Sequence, residues 1–254
     1  MAVRAPLSVT VITLNEEANL RDCLEGVRWA EEIVVVDALS TDRTVTIARE
    51  YTDRVFQNPW PGHLQQKNFA LDHTTHEWIL SLDADERVLP ALWAEIEGVL
   101  SDPRAADGYD LPRKNLFLGH WMRHGGWYPD RVLRLFRKSR GRFGGINPHD
   151  RVLLQGRLGH LSEPLRHITY RSLSQYIEKQ YAYACIGARE RIIRGGPQRP
   201  GVGTMAVRPL MKFLEAYLVK RGFLDGFHGL LTALFAAYFA FVRQAKIREL
   251  CQAR

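Results

Sequence analysis

Three acids fall within four residues in Leu82-Asp83-Ala84-Asp85-Glu86, directly after the apolar run Trp78-Ile-Leu-Ser-Leu82. On an extended segment, side chains two apart share a side. Asp83 and Asp85 are therefore expected to aim their carboxylates at one point. Two like charges held together repel unless a cation or a proton offsets them. Oxygen donors suit a hard divalent ion, Mg²⁺ or Mn²⁺, which often takes one or two carboxylates together with substrate phosphates. The chemistry this opens is displacement at an atom bearing a diphosphate leaving group, with the cation holding the departing charge. An isolated Asp-x-Asp is also a common solvated turn or helix cap, so support has to come from other segments.

Two further loops supply it. Thr13-Leu-Asn-Glu-Glu17 closes the β-branched run that starts at Val9, and Asp37-Ala-Leu-Ser-Thr-Asp42 follows Ile33-Val-Val-Val36. A carboxylate at such a strand end can accept from a base N–H or a ribose hydroxyl. Neither loop has a Gly-x-Gly-x-x-Gly pattern, and the chain has no Walker-type Gly-Lys-Ser/Thr. A dinucleotide site and a P-loop are thus disfavoured.

The elements that must position these loops alternate. Strands are expected at Val9–Leu14, Ile33–Val36, Arg54–Phe56 and Trp78–Leu82. Helices are expected over Glu17–Trp29, from a Ser40 or Thr41 N-cap to about Tyr51, and over Leu64–His73, with Pro90 opening another. That order implies an α/β fold with a mostly parallel sheet flanked by helices, whose ligands sit beyond the strands' carboxyl ends. Short strand-like pieces follow between Asp107 and His167. Helices are expected over Ser172–Arg194, Met205–Arg221 and Asp225–Leu250, with Gly195–Gly203 as a linker. The reading is one domain over 1–170, split near 105 into a nucleotide half and an acceptor half. A helical region over 171–254 follows, open to membrane-surface or oligomer contact.

Composition sets the outer limits. The 254 residues are 46% apolar and 25% charged, which permits a substantial core. Three distant cysteines, Cys23, Cys185 and Cys251, show no disulfide or zinc spacing and favour a reducing, cytoplasmic setting. The apolar run Gly229–Val242 is shorter than the ~18 residues needed to span a bilayer, so no membrane-crossing helix is expected. A net charge of +7 points to a negatively charged partner without identifying it.

Taken together, these segments resemble the family 2 glycosyltransferases of the nucleotide-sugar-binding GT-A fold. The matching pieces are Thr13-Leu-Asn-Glu-Glu17, Val35-Val-Asp-Ala-Leu-Ser-Thr-Asp42-Arg-Thr44, Gly62-His-Leu-Gln-Gln-Lys-Asn68 and Leu82-Asp-Ala-Asp-Glu86. Arg134-Leu-Phe-Arg137 and Phe223-Leu-Asp-Gly226 look like the branch containing lipopolysaccharide core β-glucosyltransferases. The resemblance implies inverting transfer of a sugar, glucose by default, from a nucleoside diphosphate donor, UDP by default, to a glycan or glycolipid hydroxyl. It implies that Thr13, Asn15, Glu17 and Asp37 hold the nucleoside. Gln66, Lys67 and Asp83 would face the donor diphosphate, and Asp83 and Asp85 would bind Mg²⁺ or Mn²⁺. Leu39 and Arg43 stand where the family more often has glycine, which puts the geometry of the second loop in question.

Inverting transfer needs a base for the acceptor hydroxyl. Asp150, in Pro148-His149-Asp150, aligns with the acid that follows histidine in the branch; Asp130, in Trp127-Tyr-Pro-Asp130, is the rival. His120 and His124 have helical spacing, but the surrounding glycines argue for a loop. Trp121 and Trp127 could stack on a sugar or pack in a core. Arg131, Arg134, Arg137, Lys138, Arg140 and Arg142 crowd one span, either as a solvated face or as an attraction for an anionic membrane-borne acceptor. Two other activities compete. A sugar-phosphate nucleotidyltransferase would bring a Gly-rich basic first loop, which is missing from Thr13–Glu17. A nucleic-acid-binding protein would leave the acidic strand tip unexplained, and nucleic acid is not expected as a partner.

Overall fold

The runs richest in β-branched residues form the parallel half of the sheet. In the computed structural model, β1 (Leu7–Thr13), β2 (Glu32–Asp37), β3 (Val55–Gln57) and β4 (Trp78–Asp83) lie in the order β3-β2-β1-β4. The structure describes residues 4–146, 149–195 and 199–252, and the side chains of all of these except Ile146, His149 and Asp150. Register delivers the site: Thr13 stands opposite Asp37, and Ile12 opposite Asp83, so the three polar strand ends emerge at one edge.

Every residue of β1 and β2 is buried, as expected of parallel strands covered on both faces. Val9, Val11, Val35, Leu80 and Leu82 pack with Leu20 and Leu24 of α1 (Leu20–Glu25) and with Leu92 and Ile96 of α4 (Pro90–Ser101). On the opposite face Ile12, Val34 and Val36 meet Ala70 of α3 (His63–Asp72). Each such aliphatic side chain contributes ~1.5–3 kcal/mol on burial. Pro90 opens α4 as its first residue, where its missing N–H costs nothing.

Beyond β4 the sheet turns antiparallel. It continues through β8 (Asp130–Arg137), β6 (Gly108–Phe117), β12 (Leu165–Tyr170) and the short β5 (Glu86–Arg87). β7 (His120–Trp121) and β11 (Leu158–His160) pair with β6, while β9 (Gly141–Ile146) and β10 (His149–Leu154) form a separate hairpin. The pairing of His167 in β12 with Glu86 in β5 brings a distant histidine to the acidic segment.

Two expected helices are shorter than their sequence suggests. α1 runs from Leu20 to Glu25; it starts late because the Glu16 N–H is tied to Thr44 and the Glu17 N–H to Asp42 of the second loop. α2 (Thr44–Ala48) is capped neither by Ser40 nor by Thr41. The Ser40 hydroxyl serves Asp37, and Asp42 Oδ1 accepts the Thr44 N–H at 3.0 Å.

The chain divides into two compact units. One holds residues up to Arg113 together with Asp130–His167; the other holds Lys114–Pro129 and Ile168 onward. The second contains α5 (Leu173–Gly195), α6 (Val202–Leu214) and α7 (Gly226–Gln252). A π-helical turn, Glu215–Val219, and a 3₁₀ turn, Gly222–Asp225, join α6 to α7. Phe117, Met122, Tyr170, Tyr176 and Phe239 form an aromatic core in this unit. The stretch 114–129 thus groups with the helices. The expected linker Gly195–Gly203 lies partly outside the described residues. By length and composition, Gly222–Gln252 would pass as a membrane-crossing helix. The uncharged run Gly229–Val242 had given no such expectation, because the helix extends it at both ends.

Candidate active site

The first two strand-end loops are stitched to each other through side chains. Thr13 Oγ1 donates to Asp37 Oδ1 at 3.0 Å, and the Ser40 N–H donates to Asp37 Oδ2 at 2.8 Å. The Asn15 N–H reaches Ser40 Oγ at 2.8 Å, and Asn15 Oδ1 accepts the Thr41 N–H at 2.9 Å. Glu17 exchanges a pair of bonds with the second loop: its N–H donates to Asp42, and its carboxylate accepts the Arg43 N–H. Asp37 and Thr13 are buried, whereas Asn15 and Glu17 are exposed. The stitching holds Leu39 at φ 62° with its side chain 51% exposed. That is a left-handed conformation for which a glycine would be the relaxed choice.

The acidic tip is built differently from a plain extended Asp-x-Asp. Asp83 ends β4, the chain turns at Ala84–Asp85, and Glu86 opens β5, so the alternation of an extended strand does not carry through Asp85. Asp83 lies 3.2 Å from Lys67 Nζ and 2.5 Å from the Arg134 guanidinium. Asp85, 8% exposed, lies 3.3 Å from His167 Nε2. Burial pushes the Asp83 carboxyl up, but Arg134 and Lys67 outweigh it and hold it well below the usual carboxylate range. Glu86 is fully buried and accepts from the Asp83 N–H at 2.9 Å, from Arg134 at 2.6 Å and from Arg113 at 3.4 Å. Burial disfavours the Arg134 cation, yet the two carboxylates beside it keep it charged. The result is a largely desolvated lattice of alternating charge at the carboxyl end of β4, in which Lys67 and Arg134 are paired with Asp83 and Glu86.

The remaining expected residues are distributed as follows. Gln66 is fully buried and exchanges bonds with Asn58, accepting at 2.8 Å and donating to its carbonyl at 3.3 Å; it fixes the turn between β3 and α3. Lys67 is nearly buried, with its ammonium 5.5 Å from the Phe143 ring centroid. Asp130 Oδ2 takes both Nε and an NH₂ of Arg113, at 2.9 and 2.6 Å. Asp150 sits in β10 opposite Gly145, but its side chain lies outside the described residues.

Several expectations for the basic and aromatic residues resolve into local packing. Arg131 pairs with Asp110, Arg140 with Asp107 and Arg142 with Asp72, while Arg137 lies over the Trp78 ring. That crowded span is therefore largely neutralised by its own neighbours. In the second unit, Trp127 packs on Phe117 at 5.4 Å between centroids. His124 lies 3.2 Å and His120 3.7 Å from the buried Asp225 carboxylate, and among the described residues no group of three or more His, Cys, Asp or Glu is spaced to hold a metal. A cavity of about 450 Å³, lined in part by Glu32, Arg54 and His76, opens at the opposite end of β2 from Asp37.

Glu86, Arg113, Arg134 and His167 are the site residues that sequence reasoning did not single out for these roles. Arg134 was noted only as a family match and as one of a basic crowd. For His167, the β-branched and aromatic run Ile168-Thr-Tyr170 was the available signal for a strand.

Comparison with known proteins covers most of this framework. The model of glycosyl transferase family 2 matches residues 8–154. The chain is 30% identical to a lipopolysaccharide core biosynthesis glycosyltransferase, LpsC, of Rhizobium meliloti, over 98% of this chain and 94% of the relative. It is 31% identical to an uncharacterized glycosyltransferase of Rickettsia bellii, over 96% of this chain and 86% of that protein. Among solved structures, that of S. aureus TarS residues 1–349 has 14% identity and a TM-score of 0.49, covering 98% of this chain and 92% of that one.

Proposed function

The chain belongs to glycosyl transferase family 2, and from that premise we propose that it is a metal-dependent, inverting hexosyltransferase using a nucleoside-diphosphate sugar. The acceptor is a hydroxyl of a glycan or glycolipid, and the likeness to LpsC supports a lipopolysaccharide core saccharide as the first to test. UDP-glucose is the first donor to test. The proposed setting is the cytoplasm, peripheral on the inner face of the plasma membrane.

The observation that carries this reading is the placement of Asp85 3.3 Å from His167, two residues beyond the end of β4 at Asp83. The Asp85 carboxylate suits a hard divalent ion, and the softer His167 imidazole favours Mn²⁺ over Mg²⁺, leaving the other positions for diphosphate oxygens and water. Asp85 and His167 would hold the ion, while Asp83 is committed to Lys67 and Arg134. When bound, the ion would stabilise the charge that develops on the diphosphate leaving group.

The protein's own groups complete the assignment. Lys67 and Arg134 supply fixed positive charge, and Glu86 anchors both Arg134 and the Asp83 backbone. Thr13, Asn15, Glu17 and Asp37 shape the nucleoside end, with Gln66 holding the adjoining turn. Asp150 accepts the acceptor proton. In its favour, the rival Asp130 already spends Oδ2 on two N–H groups of Arg113. The test is release of nucleoside diphosphate from a panel of sugar nucleotides, with and without Mn²⁺. Mn²⁺-dependent release from one donor, faster with a glycolipid acceptor, supports the reading; pyrophosphate chemistry on a sugar phosphate would replace it with nucleotidyl transfer.

A further inference from the structure

The helical unit displays an apolar stripe that its own core does not use. In α6, Val207, Leu210 and Met211 are 56, 57 and 58% exposed, and no residue of that helix is buried. In α7, Phe227, Leu234 and Phe241 are 70, 52 and 45% exposed. Their spacing of seven puts them along one helix face, and α6 and α7 pack against each other. A monomer rarely leaves so many large apolar side chains in water on neighbouring helices without a partner.

Charge selects the occupant. From Arg189 to Arg221 the chain has eight lysines and arginines against two acids, Glu190 and Glu215. Glu215 is taken by Lys212 and Lys220, and Arg208 stands exposed one turn before Lys212 on α6. A second copy of this chain would bring the same basic α6, with Arg208 and Lys212, against the first. An anionic bilayer brings the opposite charge together with an apolar interior.

Length decides the depth. The exposed stripe of α7 runs from Phe227 to Phe241, which at 1.5 Å per residue is ~22 Å, short of the ~30 Å hydrocarbon core. Beyond it α7 carries Arg243, Lys246, Arg248 and Glu249, and its other face is committed to α5 through Ala188, Ile192, Ile247 and Cys251. We infer that α6 and α7 lie in the plane of an anionic membrane surface. Their apolar stripe enters the headgroup–acyl boundary, and Arg208 and Lys212 reach lipid phosphates. This deepens the peripheral-membrane setting proposed above; its test reads no sugar transfer, so either can fail without the other.

The test is vesicle flotation of the full chain. Wild type should float with vesicles containing about 30% phosphatidylglycerol and fall by about tenfold with pure phosphatidylcholine or in about 0.5 M NaCl. L210E/M211E should lose flotation by about tenfold with an unchanged melting temperature, the apolar contribution being removed. R208Q/K212Q should lose the preference for anionic lipid. The inference is overturned if wild type floats with neither vesicle, or if it resists alkaline carbonate extraction as a spanning helix would. It is equally overturned if light scattering shows a stable dimer in lipid-free buffer that L210E/M211E dissociates.

Discussion

Replacing Glu86 with glutamine removes one negative charge from the buried lattice at the tip of β4 while conserving volume. Glu86 is fully buried and serves Arg134, Arg113 and the Asp83 N–H. After the substitution Arg134 retains Asp83, and Arg113 retains Asp130, so neither guanidinium is left without a carboxylate. Breaking a buried pair outright costs ~3–5 kcal/mol, and the surviving partners place Glu86→Gln near the lower end, about 3 kcal/mol. For a chain of this size that corresponds to a fall in Tm of about 6–12 °C. Arg134→Met should cost at least as much, because it takes from the buried Glu86 and the half-buried Asp83 the guanidinium they share. The double variant should be more stable than the two losses summed, by about 1 kcal/mol or more. The assay is thermal unfolding of the two single variants and the double variant at neutral pH. A Glu86→Gln protein melting within about 2 °C of wild type, or a cycle that is strictly additive, would refute the reasoning that this lattice holds the site.

Three further outcomes follow from the same geometry. Asp150→Asn should keep donor binding by calorimetry and lose turnover; unchanged turnover would move the base to Asp130 or elsewhere. Leu39→Gly should raise stability by up to about 1 kcal/mol, since relief of the left-handed strain exceeds glycine's entropy cost at an exposed position; a lower Tm would show that Leu39 has a packing role. The depressed Asp83 carboxyl gives stability that is complete above the unfolded-state value of about 4 and is lost as pH falls through the lower folded value. Acid titration of Tm should therefore show a loss below about pH 4 that is smaller in Asp83→Asn, and an identical profile would contradict it.

The sequence was most legible where physics is local. β1 and β2 are rich in β-branched residues and β4 is mostly apolar, and both faces of all three are largely buried, so their existence and their carboxyl-end loops could be read directly. The strands after β4 were harder. β9 is Gly141-Arg-Phe-Gly-Gly-Ile146, with three glycines in six residues and little alternation, and it forms by pairing with β10. β12 is held by its partners in the sheet, and with it the position of His167. The short α1 and α2 reflect side-chain bonds between two loops far apart in sequence, as with Asn15 and Thr41 or Glu17 and Arg43. The acidic tip shows both outcomes. Its charge was plain, but Asp83 and Asp85 take different partners because the chain turns between them. Arg134 and Glu86 acquire their role from burial, which one sequence does not display.

The most direct measurement is calorimetric titration of UDP into wild-type protein and into Asp85→Asn, each with and without Mn²⁺. Wild type should bind UDP at least about tenfold more tightly with Mn²⁺, and Asp85→Asn should show no such gain while melting normally. If Mn²⁺ leaves wild-type affinity unchanged, or strengthens both proteins equally, the diphosphate is not held through a cation at Asp85.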